Sequence, residues 1–342
     1  MKIAILGSGA NGASIGADLT EAGLDVTLID QWPAHVEAMR ERGVRIEMPE
    51  RTLEIAVEAR HLCEVAELRE PFDLVLVLMK AYDTRWACEL IEPWVAADAL
   101  VAGVQNGMTQ GAIADVVGPA RAIGCVIEIS SEMTEPGIVH RHSGPSASYF
   151  AVGAVDPAAA GREVEVAAVL ARSADTVEAL DVGEIEAAKW MKIVSNSTTL
   201  VGSAILGMPI AASAKLEPMR EVMLAAGREA LAAGAARGYS HVPIFGLGAA
   251  EMEAADDLTE LLLDTLVERF VLPETTSTVL HDWRKGRRGE VDDINGEVVA
   301  ALGAEAPVNG AIVEVAHRIE RGELEPSRAN LDLLLDLAHP SH

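Results

Sequence analysis

The 342-residue sequence predicts an α/β fold with two domains, a parallel-sheet domain over residues 1–180 and an all-helical domain over residues 181–330. Two observations lead to this expectation. Short apolar runs alternate with helical patterns as far as Leu180, which is typical of βαβ units. From Val182 onward only helical patterns occur, and glycine and proline breaks separate them.

The first domain opens on a strand and a glycine-rich turn. Ile3 to Leu6 is a short apolar run, and Gly7, Gly9 and Gly12 follow it with the spacing G-x-G-x-x-G before an alanine-rich helical pattern. In a dinucleotide site, the first glycine permits the tight turn, the second lets the backbone approach a pyrophosphate, and the third allows close helix–strand packing. The unpaired N–H groups and the positive end of the dipole at the start of this helix attract the phosphates. This context predicts a Rossmann nucleotide site. Its predicted cofactor-binding residues are Gly7, Gly9, Ala10, Asn11 and Gly12.

Asp30 ends the second predicted strand, which covers Asp25 to Ile29. An acid about 20 residues past the glycines is placed to accept hydrogen bonds from the ribose hydroxyls of the adenosine. This carboxylate would repel a 2′-phosphate, and neither Gln31 nor Trp32 supplies a compensating cation. We therefore expect NAD as the cofactor, with NADP as the alternative. The competing explanation is that Asp30 caps the helix around Pro33.

Two polar side chains follow later strands of the same domain. Lys80 comes directly after the apolar run Asp73 to Met79, and Asn106 follows the run Ala99 to Val104. Ligands bind at the carboxyl ends of strands in open α/β sheets, so both are candidate cofactor-binding residues. From the residues alone, a surface lysine and Asn–Gly turn chemistry stay open as alternatives.

Composition limits the partners and the compartment. The net charge of −26 argues against nucleic acid, whose phosphates would be repelled over most of the surface. No apolar run has the length of a membrane span, and the first strand starts at once, without a signal peptide before it. The three cysteines lack metal-ligand spacing. We expect a cytoplasmic protein with no metal site, no membrane partner and no disulfide framework.

Candidates for chemistry lie in the second domain. Lys192 and Asn196 are four residues apart in an otherwise apolar helical stretch, so they share one helix face. The lysine could pass a proton to or from a substrate oxygen, and the asparagine could hold that oxygen. Taken alone, the spacing is explained more simply by a solvated lysine beside a helix-facing amide. Glu290 heads an acid-rich helix, where dipole compensation is an alternative, and Thr275 to Thr278 are typical of an N-cap region that could also bind an acid group.

Several of these segments form an ordered set. The set comprises Gly7-x-Gly9-x-x-Gly12, Lys80-Ala81, Gln105-Asn106-Gly107-Met108, Pro136-Gly137, Trp190-x-Lys192 with Asn196, Glu290-x-x-x-Ile294-Asn295-Gly296 and Pro307-Val308-Asn309. In order and spacing it resembles the ketopantoate reductase family (2-dehydropantoate 2-reductase) from residue 1 to about residue 322. No single motif is decisive, but the arrangement over nearly the whole chain is specific.

The resemblance implies hydride transfer between a nicotinamide and a 2-oxo acid, with ketopantoate as the default substrate, and a homodimer formed through the helical domain. It makes Lys192 the general acid that protonates the carbonyl oxygen, and Glu290 the residue that positions the lysine and the cofactor. It also places Lys80 and Asn106 beside cofactor and substrate, and Asn196 against the substrate.

The chain departs from the family pattern at four positions. Leu200 stands where a second asparagine is often found, and Thr275 replaces a substrate-binding asparagine, with Thr278 in place of a serine. Most members prefer NADPH, whereas Asp30 favours NAD. These departures suggest an NAD-dependent 2-hydroxy-acid dehydrogenase working in catabolism as an alternative to ketopantoate reduction. A β-hydroxy-acid dehydrogenase and a non-catalytic NAD-binding sensor are the further alternatives.

Overall fold

The computed structural model describes residues 1–338. The chain divides into two compact units, Met1–Glu186 (unit 1) and Ala187–His342 (unit 2). Unit 1 is an α/β domain built on a largely parallel sheet, and the described part of unit 2 is helical, so the predicted fold class is confirmed. The division falls shortly after the predicted boundary at residue 180, inside a helix that runs Glu184–Ile205.

Unit 1 alternates strands and helices. The strands are β1 (Lys2–Leu6), β2 (Asp25–Asp30), β3 (Val44–Glu47), β4 (Thr52–Ile55), β5 (Glu58–His61), β6 (Phe72–Val77), β7 (Val95–Val104), β8 (Ala122–Glu128), β9 (Ser131–Glu135), β10 (Ile138–Arg141), β11 (Tyr149–Ala154) and β12 (Thr176–Leu180). The α-helices are α1 (Ala10–Glu21), α2 (Pro33–Arg42), α3 (Thr84–Ile91), α4 (Gln110–Val117) and α5 (Glu163–Leu170).

The main sheet has eight strands in the order β12-β11-β8-β7-β6-β1-β2-β5. Strands β5, β2, β1, β6, β7 and β8 pair in parallel, and β11 runs antiparallel to β8. The central strands are apolar along both faces because helices cover both faces of such a sheet. Leu6 lies in register with Ile29 on one side and Val77 on the other, so the loops that follow these strands meet at one edge.

A second, four-stranded sheet in the order β4-β3-β10-β9 lies beside α1. Ala13 and Ala17 of α1 belong to the apolar cluster of this small sheet, whereas Ile15 and Leu19 pack into the core of the main sheet. Helix α1 is therefore buried on two sides, which explains its small residues. A Cβ at Gly16 would lie 2.3 Å from the Leu28 side chain.

One buried ion pair fastens α1 to later parts of the chain. Asp18 accepts hydrogen bonds from Arg141 of β10, at 2.5 Å, and from the Ser173 hydroxyl, at 2.6 Å. The side chains of Asp18 and Arg141 are 2% and 0% exposed. Arg141 also donates to the carbonyl oxygen of Ser173, so the guanidinium is held at several points.

One helix of unit 1 is shorter than its sequence suggests. The pattern predicts a helix from Pro157 to Arg172, but α5 covers only Glu163–Leu170. Asp156 instead caps a short 3-10 helix, Pro157–Ala159, and Gly161 has a φ of +84°, which ends any continuous helix there.

The helices of unit 2 pack around a central helix, α8. In chain order they are α6 (Glu184–Ile205), α7 (Ile210–Ala214), α8 (Glu217–Ala236), α9 (Ala249–Glu253), α10 (Leu258–Arg269), α11 (Thr278–Arg284), α12 (Val291–Leu302), α13 (Pro307–Glu320) and α14 (Asn330–Ala338). Helices α7, α10, α12, α13 and α14 all contact α8. Within residues 1–338, no helix combines the length and the apolar character that a membrane crossing would require.

Candidate active site

The three glycines after β1 serve different purposes. Gly7 has a φ of +99°, and a Cβ there would lie 2.7 Å from the backbone of Leu78. A Cβ at Gly12 would lie 2.1 Å from the Gly7 carbonyl oxygen, so this position must also be glycine for the turn to close. A Cβ at Gly9 would meet nothing within 4 Å. The fold therefore requires Gly7 and Gly12, whereas Gly9 leaves open space above the turn.

Helix α1 begins beside that open space. Gly9 is its N-cap residue and brings no side chain to the helix end, and the first turn contains no acidic residue. The N–H groups and the positive end of the helix dipole suit an anionic group at this point. Asn11 lies in the first turn, and its side-chain oxygen accepts a hydrogen bond from Ser131 of β9 at 2.5 Å. These features fit the pyrophosphate of a dinucleotide.

Asp30 is held rigidly at the end of β2. Its side chain accepts backbone hydrogen bonds from Ser8 at 2.7 Å and from Trp32 at 2.8 Å, one on each oxygen. A carboxylate oxygen has a second lone pair, so both oxygens retain accepting capacity toward a ligand. The N-cap residue of α2 is Trp32, not Asp30. The first hydrogen bond ties Asp30 directly to the glycine turn.

His35 is a part of this site that sequence reasoning missed. It is fully buried in α2, and its Nε2 lies 2.8 Å from the carbonyl oxygen of Ser8. Gly137 donates its N–H to Nδ1 at 3.0 Å, so the ring proton lies on Nε2 and is donated to Ser8. Burial lowers the pKa of His35, against the opposing charge of Asp30, which favours this neutral form.

The candidate residues after β6 and β7 lie on neighbouring loops of the same edge. Lys80 precedes a short 3-10 helix, Ala81–Asp83, and Asn106 precedes Gly107, whose φ is +73°. Gln105 links the two loops, because its side-chain amide donates to the Met79 carbonyl at 2.6 Å and lies 3.0 Å from the Thr84 hydroxyl. The strand ends therefore bring the glycine turn, Asp30, Lys80 and Asn106 to one edge of the sheet, as the sequence predicts.

Lys192 and Asn196 lie on one face of α6 in unit 2. The neighbouring side chains of this helix are almost all buried, whereas Lys192 and Leu200 are partly exposed, and Asn196 between them is 4% exposed. The positions i, i+4 and i+8 follow one face of a helix. This stripe is therefore the face of α6 on which a polar ligand could meet both side chains.

Three contacts within unit 2 fix α6. The Trp190 indole donates to the carbonyl oxygen of Ala230 in α8 at 2.8 Å. Asn295 of α12 donates to the carbonyl oxygen of Ser197 at 3.0 Å. A Cβ at Gly227 of α8 would lie 2.6 Å from the Thr198 hydroxyl, so α8 approaches α6 closely there. Lys192 and Asn196 are thus presented by a helix held on both sides of their position.

The Asn295 contact belongs to a longer network. Asn295 also donates to the Asn309 side chain at 2.8 Å, and Asn309 donates to Glu229 of α8 at 2.7 Å. Glu229 in turn accepts the backbone N–H groups of Val308 and Asn309, both at 2.9 Å, at the start of α13. Asn295 and Asn309 come from motifs quoted above, but no local pattern identifies Glu229 as their partner.

Glu290 is the N-cap residue of α12, so it heads this helix as predicted, and the structure shows in addition that it is buried, with 4% of the residue exposed. Asp293 lies one turn further on, and its Oδ2 is buried without a hydrogen-bond partner among the described residues. Burial, reinforced by the charge of Glu290, raises the pKa of Asp293 to about 6. Two acidic side chains, Glu290 and Asp293, therefore lie at the start of α12 in poorly solvated surroundings.

The hydroxyl residues before α11 have local partners. Ser277 is the N-cap residue, and its hydroxyl accepts the N–H of Leu280 at 3.3 Å, which confirms the predicted N-cap region. Thr278 is the first residue of α11. The Thr275 hydroxyl accepts the N–H of Leu272 at 3.1 Å and closes a turn. Within residues 1–338, no group of three or more His, Cys, Asp or Glu side chains is arranged to hold a metal ion.

A second residue missed from the sequence is Phe245, in the loop between α8 and α9. The Nζ atom of Lys192 lies over its ring, 5.5 Å from the ring centroid. This distance is within the range of a cation–π interaction. The sequence carries no signal for this contact, because an isolated phenylalanine in a glycine-rich loop has no recognisable pattern.

The chain matches known proteins over most of its length. Residues 3–155 match the family described as "Ketopantoate reductase PanE/ApbA", and residues 184–320 match "Ketopantoate reductase PanE/ApbA C terminal". The 2-dehydropantoate 2-reductase of Archaeoglobus fulgidus is 26% identical over 325 residues, covering 94% of this chain and 98% of that protein.

Solved structures agree with this assignment. A PanE/ApbA family ketopantoate reductase from Ralstonia eutropha JMP134 is 26% identical with a TM-score of 0.78, over 94% of this chain and 99% of that one. D-mandelate dehydrogenase, solved with NADH and anilino(oxo)acetate, has a TM-score of 0.80 over 94% of this chain and 99% of that one, but at 20% identity it shows the shared fold alone. This chain belongs to the ketopantoate reductase family and is an oxidoreductase of the 2-dehydropantoate 2-reductase type.

Proposed function

We propose that the chain interconverts 2-oxo acids and 2-hydroxy acids with NAD as its cofactor, and that ketopantoate is the reference substrate. The observation that carries this proposal is the stripe on α6, where Lys192 and Asn196 share a helix face that is partly exposed at Lys192 and Leu200 while the neighbouring side chains are buried. A proton donor and an amide side by side suit a carbonyl oxygen that gains negative charge.

Unit 1 would hold the cofactor. The open space at Gly9 and the start of α1 would take the pyrophosphate, with Ala10 and Asn11 in the first turn of the helix. The carboxylate of Asp30 would accept the ribose hydroxyls of the adenosine. Lys80 and Asn106, on loops joined by Gln105, would line the nicotinamide end of the site.

Bound NADH would supply the hydride that reaches C2 of the 2-oxo acid. As negative charge develops on the carbonyl oxygen, Lys192 donates its proton to that oxygen and the 2-hydroxy acid forms. Asn196 holds the substrate, and Thr275 and Thr278 would bind polar groups of the acid. Glu290 positions the lysine and the cofactor, since a buried carboxylate at the head of α12 is a fixed charge.

The preference for NAD over NADP rests on Asp30. Its carboxylate is anchored by two backbone N–H groups, so it cannot readily turn away from a 2′-phosphate. Repulsion between the two anionic groups would weaken NADPH binding. We also propose that the chain forms a homodimer through the helical unit and works in the cytoplasm.

A substrate panel tests the function directly. Initial rates are measured with NADH and NADPH for ketopantoate and other 2-oxo acids, and with NAD⁺ and NADP⁺ for 2-hydroxy and 3-hydroxy acids. We expect turnover with 2-oxo acids and NADH. Turnover of 3-hydroxy acids alone would identify a β-hydroxy-acid dehydrogenase, and NADH binding without any turnover would indicate a sensor. Light scattering of the purified protein gives the oligomeric state.

A further inference from the structure

Phe245 has an unfavourable backbone conformation. Its φ is +59°, and it is the one non-glycine residue with positive φ among residues 1–338. A side chain with a Cβ is strained in this left-handed region, and glycine is the usual occupant. Gly246, the next residue, adopts a similar φ of +72° without strain. Strain of this kind persists where the surroundings hold the residue in place, and such residues concentrate at functional sites.

The surroundings of the Phe245 ring explain what holds it. The side chain is buried, with 5% of the residue exposed, and Phe270 at the end of α10 packs against it with ring centroids 5.2 Å apart. The ammonium of Lys192 also lies over the ring. The ring therefore connects the apolar interior of unit 2 to the proposed proton donor.

Bond lengths put the same ring within reach of a substrate that is hydrogen-bonded to Lys192. A carbonyl oxygen that accepts a hydrogen bond from Nζ lies about 2.8 Å from it. C2 is about 1.2 Å beyond that oxygen, and the side chain of the acid starts about 1.5 Å beyond C2. The Phe245 centroid is 5.5 Å from the same Nζ. A group attached to C2 can therefore reach the ring at the roughly 4 Å typical of apolar contacts.

We propose that Phe245 is a positioning and specificity-determining residue of this site. Its ring holds the Lys192 ammonium in place and contacts the side chain attached to C2 of the acid. The preferred substrates are accordingly 2-oxo acids with an aromatic or bulky apolar side chain, rather than acids with a hydroxyl group on that chain. This inference rests on the proposed function, because it takes Lys192 as the proton donor.

The test compares 2-oxo acids and Phe245 variants. For the wild type, kcat/KM is measured with phenylpyruvate and with ketopantoate, which carries a hydroxyl group. We expect phenylpyruvate to be favoured by about tenfold, which corresponds to about 1.4 kcal/mol. Phe245→Leu keeps apolar volume but removes the aromatic face, so kcat is expected to fall by about fivefold with both acids and the preference for phenylpyruvate to shrink. Phe245→Tyr is expected to retain both.

A second variant separates function from folding. Phe245→Gly removes the ring and relieves the backbone strain, but the loss of a buried ring outweighs that relief, so its melting temperature is expected to fall. Its kcat is therefore measured well below that melting temperature, where the variant is folded, and is expected to be lower than that of the wild type. Ile244→Val, in the same loop, is the matched control and is expected to keep the wild-type kcat. If Phe245 has only a packing role, the folded Phe245→Gly protein instead keeps the wild-type kcat and the wild-type preference for phenylpyruvate.

Three outcomes are distinct. The proposal is overturned if the wild type reduces both acids equally well, or if Phe245→Leu keeps the wild-type kcat and preference. If either result is obtained while the wild type still reduces both phenylpyruvate and ketopantoate, the proposed function stands and only the role of Phe245 is lost. If the wild type binds NADH, seen by its fluorescence, but reduces no 2-oxo acid, both proposals fall.

Discussion

The two units present their candidate residues in opposite ways. In unit 1 the proposed cofactor site is built mainly from backbone: a turn that only glycine can form, a helix start without a side chain, and strands that end in register. In unit 2 the candidates are side chains on one face of α6, a helix held by contacts from α8 and α12. We therefore expect that adding atoms at the glycine turn impairs cofactor binding by unit 1, and that removing a side chain from this face of α6 impairs turnover.

Removing the proposed proton donor is expected to give the largest effect, and this effect is on turnover rather than on cofactor binding. In Lys192→Ala, we expect turnover to fall by about 10²- to 10⁴-fold, the range typical of losing a general acid. NADH affinity is expected to stay nearly unchanged, because unit 1 is intact. Steady-state rates and fluorescence titration measure the two effects. Lys215→Ala, at an exposed position, is the control. Unchanged turnover in Lys192→Ala would remove this lysine from the mechanism.

Adding a single methyl group to the glycine turn tests the proposed cofactor site of unit 1. Gly9→Ala meets no atom of the chain within 4 Å, so the protein is expected to fold. The methyl group would occupy the space proposed for the pyrophosphate, and the Kd for NADH is expected to rise by about tenfold or more. Gly111→Ala in α4 is equally uncrowded and serves as the control. If both variants bind NADH as tightly as the wild type, the cofactor does not lie over Gly9.

The third prediction concerns charge at the end of β2. Asp30→Asn removes the negative charge but keeps a side-chain oxygen, so the ratio of kcat/KM for NADPH to that for NADH is expected to rise by about tenfold. Asp25→Asn, at the exposed start of β2, is the control for a general change in charge. A wild-type enzyme that already prefers NADPH would contradict the role given to Asp30.

The smallest expected effect is on the melting temperature and its dependence on pH. The pKa of Asp293 is raised to about 6 from an ordinary value of 3.8, so the folded state binds more protons than the unfolded state between these values. Stability contributed by this group is therefore present below about pH 4 and is lost as the pH rises through about 6. Asp293→Asn is expected to melt about 2 °C higher than the wild type at pH 8, with the difference vanishing near pH 4.

Melting temperatures of both proteins across this pH range check the sign. Asp292→Asn removes a neighbouring, half-exposed charge and controls for the loss of a carboxylate from the same helix. A variant that is less stable than the wild type at pH 8 would mean that the Asp293 carboxylate has a stabilising partner.

What the sequence can predict depends on whether the residues of a feature lie close together in the chain. The glycine turn, Asp30 and the strand-end residues are recognisable because each motif is local and its function depends on backbone geometry. His35 bonds to Gly137, 102 residues away, and Glu229 bonds to Asn309, 80 residues away. Phe245 and Lys192 likewise belong to separate segments. None of these pairs leaves a periodic or spaced pattern, so only the fold reveals them.

The two sheets also differ in how far the sequence predicts them. The predicted central strands are correct because apolar runs of this kind report burial on both faces. The four-stranded sheet combines β3 and β4 with β9 and β10, which lie far along the chain. Short strands with one exposed face carry little information about their partners. Pro136-Gly137 is identified from the sequence as a turn, but the bond from Gly137 to His35 is not.

The ion pair on α1 has a consequence for the order in which the protein folds. Asp18 accepts its two side-chain hydrogen bonds from Arg141 and Ser173, 123 and 155 residues later in the chain, whereas Arg51, 33 residues later, lies 3.9 Å from its other oxygen. Until those segments emerge from the ribosome, the Asp18 carboxylate lacks both hydrogen-bond donors and has only the more distant, partly exposed Arg51 as a counterion, so its burial is unfavourable. Helix α1 is therefore expected to reach its final packing only after β10 and Ser173 have been synthesised.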